Sequence, residues 1–177
     1  MAAALLVTLA LACAPSPSPS REAAPDAVPA AQPRSSAPGS QTRKGLYQDL
    51  AYADGERLLD LYLPQRGGPA PVAVWLHGGS WVTGDKRPVP AVLLGLCDRG
   101  FAVAAVNYRL TGVSSHPAQL HDVKGAVRWL RAHADEYGLD PARVYLVGFS
   151  AGGHLASLAG LTGGDAALEG DVGGNLD

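Results

Sequence analysis

The chain has 177 residues, 47% of them hydrophobic, and carries a formal net charge of -2. That is room for one domain of ordinary size with a normal core. Acidic and basic residues are interspersed without a block of either sign, which excludes an electrostatic platform for nucleic acid or an anionic membrane face and leaves a small molecule as the expected partner.

Residues 1–14 open the chain with an apolar run from Ala2 to Ala14. The run is shorter than the roughly 18 residues of a spanning helix and matches the hydrophobic stretch of an export signal. The small residues of "LALAC" before Cys13 resemble the lipobox of bacterial lipoproteins, which makes Cys13 a lipidation candidate. Ala10 stands where that motif usually has Leu, and no Lys or Arg precedes the run, so a lipid-anchored envelope protein and a secreted one both stay open. Residues 15–44 follow, dominated by Pro, Ser, Ala and Gly. Such side chains bury too little area to offset the entropy of ordering them, so the segment reads as a disordered tether.

From residue 45 short apolar strands and amphipathic helices alternate. "LYQDLAYA" and "RLLDLYLP" flank Asp54-Gly55 and predict an antiparallel hairpin. "PVAVWLH" (71–77), "FAVAAVNY" (101–108) and "RVYLVGF" (143–149) are continuous apolar runs of the kind buried on both faces of a parallel sheet. A helix is expected over about Val89 to Arg99. A longer one runs from Pro117 to Gly138, with Leu120, Val123, Val127, Leu130, Ala134 and Tyr137 on one face and Lys124, Arg128 and Arg131 outside it. The fold class is α/β, a doubly wound and mostly parallel sheet behind an antiparallel hairpin. Cys97, among apolar neighbours, reads as a buried thiol.

The third parallel strand runs directly into Gly148-Phe149-Ser150-Ala151-Gly152. In an open α/β sheet chemistry gathers where strands end, and a G-x-S-x-G turn from strand to helix lifts a serine hydroxyl clear of the backbone. Residues 148 and 152 face each other across such a turn, so each must lack a side chain. Alone the pattern is weak; a second loop strengthens it. "HGGSW", His77 to Trp81, ends the first parallel strand, and the N–H groups of Gly79 and Ser80 can join that of Ala151 around an oxyanion. The phosphate-loop reading of "GGSWVTGDK" fails, because Asp85 separates Gly84 from Lys86 and would repel phosphate. "GFSAGG" also departs from the dinucleotide fingerprint, with Ser150 in place of its second glycine.

"HGGSW", "VNYRL", "HPAQLHDVKGAVRWLRAHADEYGLDPARV" and "GFSAGGHLA", in this order, resemble the α/β-hydrolase esterases of the hormone-sensitive-lipase-like group, and most closely the bifunctional acetylxylan and feruloyl esterase (BD-FAE-like) domain. The resemblance implies a serine carboxylester hydrolase with Ser150 as nucleophile and Gly79, Ser80 and Ala151 as oxyanion donors. It implies that His77, Gly78, Trp81, Gly148 and Gly152 shape the motifs, that Arg109 and Asp122 are structural partners, and that no metal or organic cofactor takes part. The family's acid and histidine follow the serine. Here only His154 does, and a side chain one turn into the helix points into packing; Asp165, Asp171 and Asp177 precede the family's acid position. The expectation is therefore the N-terminal portion of a hydrolase domain over 45–177, inactive by itself, acting when complete on short-acyl or plant-polysaccharide esters. The alternative is a non-catalytic hydrolase-like surface binding module.

Overall fold

Six strands join in one sheet in a computed structural model of the protein, which describes residues 40–43, 45–65 and 67–174. They are β1 (Ser40–Arg43), β2 (Leu46–Ala51), β3 (Leu58–Tyr62), β4 (Ala70–Leu76), β5 (Ala102–Val106) and β6 (Leu139–Gly148). Their order is β1-β2-β3-β5-β4-β6. The first three are antiparallel neighbours, β3 meets β5 antiparallel, and β5, β4 and β6 run parallel. The export-type segment, Cys13 and the greater part of the expected tether lie outside the described residues. Its last described residues, Ser40–Arg43, pair with β2 as β1, so residues 40–43 belong to the sheet rather than to the tether.

The hairpin forms where Asp54-Gly55 predicts it. Gly55 takes φ +76°, a conformation that costs a residue without Cβ little, and the Tyr52 N–H donates to the Arg57 carbonyl across the turn at 3.1 Å. Alternation along the strands then sorts the side chains. Leu59 and Leu61 of β3, Val72, Val74 and Leu76 of β4, and Ala104 and Val106 of β5 share the main core. Against them pack Leu120, Val123, Ala126, Trp129 and Leu130 of α2 (Ala118–Ala132) and Leu155 of α4 (Ala151–Leu161).

Three helical expectations change. The segment 89–99 is not one helix: α1 spans Ala91–Leu94, and a 3-10 turn covers Cys97–Arg99. From Leu96 on the bonds tighten, Leu96 N–H to Leu93 and Arg99 N–H to Leu96, and Gly100 at φ +87° turns the chain into β5. The helix over 117–138 breaks at His133, whose ring stacks on Trp129 at 4.1 Å while its Nδ1 donates to the Trp129 carbonyl at 2.8 Å. The His133 N–H donates to the same carbonyl at 3.0 Å, the backbone leaves the helical region at φ -102°, ψ 17°, and α3 (Ala134–Tyr137) restarts beyond it, closed by Gly138 at φ +65°.

Lys124, expected outside the buried face, is only 7% exposed. Its Nζ donates to the Thr162 carbonyl and the Glu169 carboxylate, each at 2.7 Å. The chain after α4, which includes α5 (Ala166–Glu169), lies over this side of α2. Arg128 fastens it by donating to the carbonyls of Gly170 and Val172. A Cβ on Gly125 would come within 2.7 Å of the Val172 carbonyl. This face of α2 is thus a second, polar interface that an apolar stripe does not announce, and Val127 on the predicted face is only half-buried.

Candidate active site

β6 ends at Gly148, and the next two residues turn the chain into α4. The Phe149 N–H donates to the Leu76 carbonyl at 3.3 Å, which ties the turn to the end of β4. Ser150 sits at φ +51°, in the left-handed region that side chains disfavour, and its carbonyl accepts from the His154 N–H at 3.0 Å as the helix begins. A Cβ on Gly148 would stand 2.5 Å from the Gly153 nitrogen and closer still to Gly152. One on Gly152 would stand 2.5 Å from the His77 carbonyl oxygen and closer to that of Leu76. Neither position admits a side chain, because strand and helix backbones meet there.

The second loop lies against this turn. A Cβ on Gly78 would be 3.0 Å from the Phe149 ring and 3.4 Å from Ser150 Cβ. The loop then folds back on itself. Gly79, at φ +120°, accepts at its carbonyl from the N–H groups of Val82 and Thr83 at 3.0 Å, and Ser80 and Trp81 follow at φ +52° and +62°. Gly84 packs directly on the His77 ring, where a Cβ would lie 2.6 Å from Cε1. His77 is buried and turned to its own loop: Nδ1 donates to the Gly78 carbonyl at 2.8 Å and the ring stacks on Tyr108 at 4.3 Å. The Tyr108 hydroxyl donates to the His77 carbonyl at 2.6 Å, and burial pushes its pKa up to about 12, so it keeps that proton at neutral pH.

Trp81 meets His154 edge to face at 5.4 Å, and its carbonyl accepts from the Thr111 N–H at 2.8 Å. Arg109 and Asp122 bond to each other: Nε and Nη2 each reach the carboxylate at 2.8 Å, and so does the Arg109 N–H. Asp122 is fully buried, so this fork holds the chain after β5 to α2. Asp165 caps α5 through the Ala167 N–H. Among the described residues no cluster of His, Cys, Asp or Glu is placed to hold a metal ion.

An anchor at the far end of the HGGSW loop was not read from the sequence. Lys86, 4% exposed, donates to Asp49 at 2.7 Å and lies 3.7 Å from the buried Asp60 carboxylate. Arg87 clasps Asp60 through Nε and Nη2 and reaches Asp49 at 3.1 Å. The hydrogen bond from Arg87 to Asp60 holds the guanidinium pKa up. Burial raises the Asp49 carboxyl, but hydrogen bonds from Lys86 and Arg87 outweigh it and leave its pKa below the ordinary value. The Lys86 N–H donates to Asn107 Oδ1 at 2.5 Å, and Asn107 Nδ2 donates to Asp85 at 3.1 Å. One signal was available: Asp60 interrupts the apolar "LLDLYL", and a carboxylate there requires a cation.

The chain spans less than a third of the length of the curated relatives it matches. The probable carboxylic ester hydrolase LipM of Mycobacterium tuberculosis (strain ATCC 25618 / H37Rv) is 40% identical over 66% of this chain and 28% of its own. Among solved structures, a bifunctional GH43-CE protein of Bacteroides eggerthii superposes with a TM-score of 0.67 at 40% identity, over 72% of this chain and 20% of that one. A truncated form of a carbohydrate esterase from gut microbiota gives 0.66 at 32% identity, over 78% and 54%. The mixed sheet and its crossovers are those of the α/β-hydrolase fold shared with such esterases. The BD-FAE family model matches residues 59–177, from β3 through the serine turn to the last residue, and the chain belongs to the BD-FAE family.

Proposed function

We propose that this chain is the nucleophile-bearing portion of an exported serine carboxylester hydrolase. The observation that carries the reading is Ser150, held at φ +51° between two glycines that admit no side chain, with the Gly78 backbone against it. Strain of this kind persists where surrounding structure enforces it, and it leaves the hydroxyl at the sheet's carboxyl edge. Ser150 Oγ attacks the ester carbonyl carbon while a histidine takes its proton. The N–H groups of Gly79, Ser80 and Ala151 stabilise the oxyanion, and collapse expels the alcohol, which leaves with that proton. Water then repeats the sequence on the acyl-enzyme. The family resemblance implies that the histidine and its acid follow the serine in the complete enzyme.

The substrates are short-acyl or plant-polysaccharide esters, a reading supported by likeness to a protein named as a carbohydrate esterase. The apolar run 2–14 and Cys13 support an address in the bacterial envelope as a lipoprotein or outside the cell. The test is hydrolysis by the complete enzyme of acetyl, feruloyl and long-chain esters, beside Ser150→Ala. Preference for the short or feruloyl esters, with a fall in kcat of about 10⁴-fold or more in the variant, is expected. Preference for long chains overturns the substrate class, and turnover that survives Ser150→Ala overturns the mechanism. The 177-residue chain assayed by itself is expected to show no measurable hydrolysis.

A further inference from the structure

The glycines of the HGGSW loop are explained by contact: a side chain on Gly79 would overlap Thr83, and one on Gly84 would overlap His77. Ser80 has no such explanation. Its φ of +52° favours glycine, yet it carries a side chain. Trp81, left-handed as well, offsets its strain by packing on the core and on His154. Ser80 is exposed, and its hydroxyl makes no hydrogen bond among the described residues. Glycine would offer the same backbone N–H without the strain. What serine adds is one O–H on a freely rotating bond, in the loop that abuts the Ser150 turn.

We propose that the Ser80 hydroxyl is an additional oxyanion donor, acting beside the backbone N–H groups of Gly79, Ser80 and Ala151. The inference rests on Ser150 being the nucleophile. In the ground state the hydroxyl is bonded to water; as charge develops on the substrate's carbonyl oxygen, it rotates and donates to that oxygen. The interaction is made only in the transition state, so it raises kcat and leaves KM nearly unchanged. Water can partly replace an exposed donor, so its removal costs about tenfold, less than the 10² to 10³ lost with an enclosed one.

Ser80→Gly and Ser80→Ala, made in the complete enzyme and assayed on a short-acyl ester beside Ser150→Ala, separate hydroxyl from backbone. The expected result is a fall in kcat of about tenfold in both, with KM within about twofold and the thermal midpoint of Ser80→Gly equal to or above the parent's. Activity falling while the Gly variant holds its stability is something a structural role would not produce. Parental kcat in either Ser80 variant, a change confined to KM, or a kcat loss that tracks a lowered midpoint in both overturns the proposal. Turnover that survives Ser150→Ala identifies the nucleophile reading as the failure, and this inference falls with it.

Discussion

Gly152→Ala puts one methyl group where the elbow is tightest. The new Cβ would lie 2.5 Å from the His77 carbonyl oxygen and nearer to that of Leu76, whereas real Cβ contacts stay beyond 3.0 Å. Both obstacles are backbone atoms at the end of β4, which cannot rotate away, so α4 and the strand must part by about 0.5–1 Å. Overpacking of a buried site costs about 1–3 kcal/mol, and a rigid backbone obstacle puts this case near about 3 kcal/mol. That is a large share of the roughly 5–15 kcal/mol a domain holds. Gly160, in the same helix, is the control: a Cβ there meets nothing within 4 Å, and the same substitution should stabilise the helix by about 0.5–1 kcal/mol. Denaturant unfolding of the complete enzyme and both variants reads the two signs directly. The displacement also moves Ser150, for which a 1 Å error costs about 10²-fold in rate. If Gly152→Ala unfolds within about 1 kcal/mol of the parent, the packing argument for the elbow is wrong.

Asp122→Ala should cost about 3 kcal/mol in denaturant unfolding, because it leaves Arg109, 26% exposed, without its carboxylate; a change below about 1 kcal/mol would show the fork to be dispensable. The hydrogen bond from Lys124 holds the Glu169 carboxyl below the ordinary glutamate range. A depressed folded pKa contributes stability above the unfolded value of about 4.3 and loses it as pH falls through the folded one. The midpoint gap between the parent and Glu169→Gln should therefore be widest above pH ~5 and shrink on acidification; a gap that is flat across that range contradicts the tie. For the envelope address, detergent-phase partitioning of the full chain that Cys13→Ser abolishes is expected, and aqueous partitioning of the parent rules out the anchor.

The amino-acid sequence alone determined what rests on local chemistry. Asp54-Gly55 marks the hairpin because few residues tolerate the turn it makes, and the continuous apolar runs of β4 and β5 mark buried parallel strands. The run of β6 reads the same way, but β6 ends the strand order among the described residues, and beyond Leu139 its residues are half-buried or exposed. Gly148 and Gly152 flag the serine turn because a side chain at either fails whatever surrounds it. Tertiary structure decided where a residue's surroundings come from distant chain. Lys124 looks like a solvated helix position until Thr162 and Glu169 arrive to bond it, and the Asp49, Asp60, Lys86 and Arg87 anchor joins residues up to 38 positions apart. The helix break at His133, where the backbone turns to φ -102°, ψ 17°, falls inside an unbroken apolar periodicity and leaves no mark in the residue pattern. Periodicity reports which face of an element is apolar; which polar groups will meet the other face depends on how the chain returns to it.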